Sequence, residues 1–236
     1  MSKVFAIAKK ELTAYFKSPI AYIVLILTIS VFNIFFYMIV DQNREASLRD
    51  VFKVMEFMFV FLIPLLTMKI FSEEKLTGTI EFLMTSPITN TAIVLGKYLG
   101  SLIFFTLIII MTVTYYFIIE YFGQPDRMSI LTGFLGIWLE GSFFLAIGIL
   151  TSSWTHNQII AAISSYVILF SLYFSISFTN SLSGPMDAIV RYAGTWSHLG
   201  NFTVGLITIA DVVYYLSGII FCLILTRFGI ENRLWR

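Results

Sequence analysis

The chain has 236 residues, of which 58% are apolar and 12% charged, where a soluble domain carries roughly a quarter charged; its mean hydropathy is +0.88. Lys and Arg total 15 against 14 Asp and Glu, and the resulting net charge of +1 excludes a nucleic-acid partner held by bulk charge. The single Cys222 excludes an internal disulfide and a cysteine metal cluster.

A helical membrane crossing needs about 20 apolar residues. Runs free of Asp, Glu, Lys and Arg extend from Ser18 to Val40, Tyr98 to Ile119, Gly141 to Met186 and Tyr192 to Ala210. They predict an all-α, polytopic membrane protein with six spans, at roughly 19–40, 52–71, 98–119, 129–151, 158–179 and 211–227. The whole of 1–236 reads as one transmembrane domain, because no piece outside the spans exceeds about 35 residues, too few to fold alone.

Residues 3–17 come first. On a helical wheel Val4, Phe5, Ile7, Ala8, Leu12, Tyr15 and Phe16 face one side, and Lys9, Lys10, Thr13 and Lys17 the other. This is the pattern of a basic interfacial helix lying along the inner leaflet. Glu11 falls within the apolar arc and is expected to turn toward Tyr15 or a lysine at headgroup level. The next apolar run is too long for a signal-peptide core and no small-x-small cleavage site follows it, so it is read as the retained first span.

Span two has a clean core only from Phe57 to Met68 and carries Pro64. It spans if Glu56 and Lys69 snorkel to the two interfaces; a re-entrant segment is the alternative.

The connector that follows, residues 72–87, is denser in structural signals. Ser72 before Glu73 and Glu74 suits a helix start, since a hydroxyl and negative charge both meet exposed N–H groups there. Lys75 follows, Gly78 permits a turn, Thr79 can cap a second short helix containing Glu81, Phe82 and Leu83, and Pro87 ends it.

Glu140 stands near the middle of span four, where a charge costs roughly 2.5–3.5 kcal/mol on insertion scales, so it must not face lipid. It is either a substrate or proton site or a protonated acid hydrogen-bonded to a neighbouring helix; no basic residue lies at the same depth to make a relay. The polar block Thr151-Ser152-Ser153-Trp154-Thr155-His156-Asn157-Gln158 predicts a hairpin turn between spans four and five. Tyr166, Phe170, Tyr173, Phe174 and Phe178 stripe span five at helical spacing and are expected to pack rather than line a path. Asp211 can cap span six from the outer interface. Small residues four apart, Gly96 with Gly100, Ser142 with Ala146, Ala161 with Ser165 and Ser171 with Ser175, predict close helix contacts within one subunit.

Basic residues are retained on the cytoplasmic side. With the N-terminus inside, the inner segments hold Lys3, Lys9, Lys10, Lys17, Lys69, Lys75, Lys97, Arg227, Arg233 and Arg236, and the outer ones only Arg44, Arg49, Lys53, Arg127 and Arg191. Both termini are therefore expected to be cytoplasmic.

Catalytic motifs are missing. The one Gly-Lys pair, Gly96-Lys97, has Thr91 where a phosphate-binding loop needs Gly and Tyr98 where it needs Ser or Thr. His156 and His198 fall on opposite sides of the membrane, too far apart for a serine-protease pair or a zinc site. The chain is not expected to be an enzyme, and no metal or cofactor is expected in it.

The stretch SEEKLTGTIEFLMTSPITNTAIVLGK resembles the segment between the second and third spans of ABC-2 type exporter permeases. The likeness extends through Lys10-Glu11-Leu12 before Ser18-Pro19, through Ser152-Ser153 and Asn157-Gln158-Ile159, and through His198, Gly205 and Asp211-Val212-Val213-Tyr214-Tyr215. These are similar to the subgroup that includes the bacterial gliding-motility ABC permease; Glu140 departs from that pattern. The resemblance implies a bacterial inner-membrane permease, a second permease, identical or related, and a dimer of ABC ATPase subunits carrying ATP and magnesium. It further implies that 72–87, with Glu73, Glu74, Lys75, Gly78, Thr79, Glu81, Phe82 and Leu83, enters a groove on the ATPase, that the N-terminal helix with Lys9, Lys10 and Glu11 flanks it, and that 180–204 forms short outer re-entrant helices. The substrate is not specified. Two other readings of the same residues are an ion-coupled carrier using Glu140 and a non-transporting anchor for a motility or envelope complex.

Overall fold

Hydrocarbon offers the backbone no hydrogen-bond partners, so a chain this apolar must satisfy its N–H and C=O groups internally. The computed structural model describes residues 3–43, 45–79, 88–179 and 184–231, and every regular element among them is an α-helix. In chain order these are α1 (Lys3–Lys17), α2 (Pro19–Asn43), α3 (Arg49–Thr67), α4 (Lys69–Leu76), α5 (Asn90–Thr112), α6 (Thr114–Phe122), α7 (Arg127–Trp154), α8 (Gln158–Tyr173), α9 (Ser175–Thr179), α10 (Pro185–Ala193), α11 (Thr195–Thr203) and α12 (Ile209–Glu231).

Among the described residues five helical stretches are long and apolar enough to cross a membrane: Pro19–Gln42, Arg49–Leu76, Asn90–Phe122, Arg127–Trp154 and Ile209–Glu231. The expected span at 52–71 is longer than its apolar core suggested, because α3 runs through Pro64 and continues into α4 with only Met68 between them. The expected span at 158–179 is divided: α8 has 16 residues, and Phe174 separates it from α9. The hairpin between α7 and α8 forms where the polar block lies, with the Asn157 side chain accepting from the Ile159 N–H as the cap of α8.

The most buried span is α7, and small residues along it receive the side chains of α3 and α4. A Cβ on Gly133 would lie 2.2 Å from the Phe52 ring, one on Gly148 would lie 2.1 Å from Thr67 Oγ1, and Ser152 Oγ accepts from the Phe71 N–H at 3.0 Å. In each case the two residues are 81 positions apart. A constant offset means that the two helices run in the same direction and stay in register from end to end. At one end of the bundle Ser129 Oγ donates to the Thr203 carbonyl at 2.5 Å and Arg49 Nε to the same carbonyl at 3.1 Å, which ties α3, α7 and α11 together.

Gly96 and Gly100 make the close contact expected of small residues four apart. A Cβ on Gly96 would meet Ile7 Cβ at 2.6 Å, and one on Gly100 would meet Glu11 Cβ at 2.7 Å and the Ala8 carbonyl at 2.9 Å. The buried residues of α1, Ile7 and Ala8, therefore pack on α5. Tyr15 stacks on Phe104 with ring centres 4.7 Å apart, while Phe5 and Phe16 keep much of their surface exposed. The aromatic stripe of α8 packs as expected: Phe61 of α3 meets Phe170 edge-on at 5.2 Å, Phe57 lies 5.5 Å from Tyr173, and the Tyr166 hydroxyl donates to the Phe61 carbonyl.

Candidate functional site

Lys97 stands two turns into α5 and is 1% exposed. Its ammonium carries three N–H donors, and each finds an acceptor: Glu11 Oε1 at 2.7 Å, Glu74 Oε1 at 2.9 Å and the Ile70 carbonyl at 2.9 Å. The Phe71 ring lies 5.1 Å away. One cation thus joins α1, α4 and α5. Glu11 turns toward a lysine, as expected, and that lysine is Lys97: the apolar arc of α1 packs on α5, and the carboxylate placed in that arc meets the cation buried there. A buried charge needs full pairing and hydrogen bonding to be tolerated, and Lys97 has both. In the sequence Lys97 stands out only as half of a Gly-Lys pair, because the acids that hold it are far away along the chain.

Lys10 approaches Glu74 Oε1 at 3.7 Å with most of its side chain in solvent, and Lys9 is exposed. The Tyr15 hydroxyl donates to the Leu66 carbonyl at 3.0 Å and lies 3.2 Å from Ser101 Oγ. Burial pushes the Tyr15 pKa upward, so the phenol remains a donor.

The connector begins differently from the sequence expectation. Ser72 does not start a helix; it is buried inside α4, and its hydroxyl donates to the Met68 carbonyl of the preceding turn. The helix needs no cap there because α3 feeds straight into it. Lys75 donates to the Ser153 carbonyl at the end of α7. Glu73 is exposed, Glu74 faces Lys97, and Leu76 projects with 67% of its surface exposed. Gly78 turns the chain with φ at +70°, a conformation that disfavours other residues. Thr79 Oγ1 lies 2.9 Å from Thr77 Oγ1. Glu81, Phe82 and Leu83, with the second short helix expected around them, lie outside the described residues.

Glu140 is 0% exposed and points into the bundle, as its lipid cost required. Its neighbour is Glu56, which is 1% exposed and does not snorkel to an interface. With α3 and α7 in register, Glu140 falls opposite Phe59, one turn from Glu56, which turns both carboxyls inward. Glu56 also accepts from Thr195 Oγ1 at 3.2 Å. Two carboxylates can only accept hydrogen bonds, and no donor among the described residues reaches either Glu140 oxygen. A bond between the two acids therefore requires a proton on one of them.

At the same end of the bundle as Thr203, His198 Nδ1 lies 2.6 Å from Asp211 Oδ1, its Nε2 lies 2.9 Å from the Tyr192 carbonyl, and its ring stacks on Tyr214. At the start of α12 the capping hydroxyl is that of Thr208 rather than the expected Asp211 carboxylate: Thr208 Oγ1 accepts from the Asp211 N–H and donates to Asp211 Oδ2. Asp211 is buried, and it also accepts from Asn201. Among the described residues no cluster of His, Cys, Asp and Glu could hold a metal ion.

A family model described as ABC-2 family transporter protein matches residues 5–190, from α1 into α10. No curated protein matches the chain. Several apolar helices long enough to cross a membrane, together with a match over most of the sequence, make it a multi-pass membrane permease, and the chain belongs to the ABC-2 family of transporter proteins.

Proposed function

We propose that the chain is the membrane-spanning subunit of an ABC exporter whose energy comes from a separate pair of ATPase subunits, with ATP and magnesium bound there, docking on the connector after α4. The observation that carries this reading is the fastening of α4. Its far end is tied to α1 and α5 through Lys97 and to α7 through Ser152 and Lys75. The stretch Arg49–Leu76 has 28 residues, about 42 Å at the rise of an α-helix. A push at its tip moves three other helices with it, whereas a loosely attached loop would absorb the displacement.

In this reading ATP-driven closure of the ATPase pair tilts the spans and alternates access at the interface with a second permease, identical or related. α8, continued by α9, forms span five and brings the total to six, both termini are cytoplasmic, and α10 and α11 form the short outer re-entrant helices. A bacterial inner membrane, in a gliding-motility or envelope complex, is the setting to which the sequence resemblance points. One other reading of the paired Glu56 and Glu140 is an ion-coupled carrier, which would transport in vesicles without any ATPase.

Co-purification tests the proposal. Glu73→Lys and Leu76→Asp change exposed side chains at the tip of α4 and should reduce recovery of the ATPase subunit while leaving the amount of membrane-inserted permease unchanged. Unchanged ATPase recovery from the double variant would remove the coupling assignment.

A further inference from the structure

A cleft of about 350 Å³ opens beside the Lys97 cluster, bounded by α1, the first turns of α2 and the junction of α3 with α4. That is within the usual size of a small-molecule site, roughly 300–1,000 Å³. One wall is apolar, formed by Ile20 and Val24 of α2 and Leu65 of α3, and the rim carries Lys10, Lys69 and Glu73. Ile20 and Leu65 are exposed, and the first span starts at Pro19, so the cleft straddles the boundary between hydrocarbon and water.

The rim charges are uncommitted. Lys97 spends its three donors inside the protein, but neither Lys69 nor Glu73 belongs to a salt bridge among the described residues, although they stand one turn apart on α4. Among the described residues Lys10 has only a 3.7 Å contact, and Glu74 Oε2 has no donor. The cleft holds Lys10, Lys69 and Lys97 against Glu11, Glu73 and Glu74, so its charge is balanced. A net anion would be repelled by the free acids and a net cation by the free lysines. The fitting ligand carries both signs and an apolar tail, and its cationic end must donate hydrogen bonds, because the groups awaiting it are carboxylate oxygens.

The geometry points to a binding site for a phospholipid with a zwitterionic, primary-amine headgroup, its phosphate between Lys10 and Lys69, its ammonium at Glu73, and an acyl chain along Ile20, Val24 and Leu65. A quaternary-amine headgroup has no N–H to donate, and a glycerol headgroup leaves the phosphate charge unbalanced beside the acids. The bound lipid would wedge α1 against α2 and α3, and the site does not depend on ATPase docking.

Native mass spectrometry of the purified full chain, equilibrated with equal amounts of phosphatidylethanolamine, phosphatidylcholine and phosphatidylglycerol, tests this. The protein should retain phosphatidylethanolamine about fivefold over each of the other two. The surface double variant Lys69→Ala/Glu73→Ala should lose that preference. Val24→Trp, which fills the apolar wall and leaves the rim intact, should lower retention of all three lipids. Retention of phosphatidylglycerol or phosphatidylcholine at or above phosphatidylethanolamine would overturn the headgroup assignment, and variants that retain lipid like the parent would overturn the site. A lipid-free dimer in which Ile20→Cys cross-links between two copies would assign the cleft to a second chain and overturn the proposal as well.

Discussion

Glu74 and Lys97 stand 2.9 Å apart, so the end of the helix leaving span two is fixed to the first half of α5 by an ion pair that also takes in Glu11 of the N-terminal helix. Among the described residues Lys97 is the only cation facing both carboxylates at full contact. Lys97→Met should therefore leave two mostly buried acids unpaired and destabilise the protein by about 3–5 kcal/mol. Thermal unfolding in detergent is the measurement. Adding Glu11→Gln and Glu74→Gln to Lys97→Met should recover much of the loss, since neutral amides need no counter-ion; a triple variant no more stable than Lys97→Met alone would show that the charge is not the cause.

Gly100 sets how closely α1 approaches. A Cβ there meets the Ala8 backbone, which cannot rotate away as a side chain would. Gly100→Leu should lift α1 and pull Glu11 off Lys97, at an overpacking cost of about 1–3 kcal/mol, with faster tryptic cleavage after Lys9 and Lys10. Gly100→Leu combined with Glu11→Gln should cost less than the two single changes added, because both release the same contact. Strict additivity would mean that α1 is held elsewhere.

The stretches that became membrane helices were legible in the sequence because apolar run length is a local property, and so was the α7–α8 hairpin, announced by its polar block. The Gly96/Gly100 contact was legible as well, as two small residues one turn apart. Partnerships between distant residues were not. Glu56 looked interfacial because an acid at the edge of an apolar run usually is; only the fixed register between α3 and α7 turns it toward Glu140. Glu11 was visible as an anomaly, but its partner Lys97 lies 86 positions away, and no local pattern encodes that distance. Ser72 carried a good capping signal that the continuity of α3 into α4 overrode.

Glu140 faces Glu56 rather than a cation, which favours a structural pair. Glu140→Gln should preserve the fold and ATPase-stimulated turnover, because an amide can donate to the neighbouring carboxyl in place of a neutral acid. Loss of transport in a well-folded Gln variant, with rescue by Asp, would instead assign Glu140 to a substrate or proton step.

Thr155, at the turn between α7 and α8, and Gln124, between α6 and α7, lie at opposite ends of α7. On a Cys222→Ser background, an impermeant maleimide applied to intact spheroplasts should label Gln124→Cys and spare Thr155→Cys. The reverse pattern would invert the proposed orientation.

In the proposed function an ATPase subunit docks at the tip of α4. A photo-cross-linking benzophenone amino acid placed at Leu76, with a control at Tyr37, which is 70% exposed near the other end of its span, tests it in intact membranes. After irradiation, mass spectrometry of the adducts should identify a nucleotide-binding subunit joined through position 76 and none through position 37. Capture of no nucleotide-binding subunit at 76, or equal capture at both positions, would contradict the account.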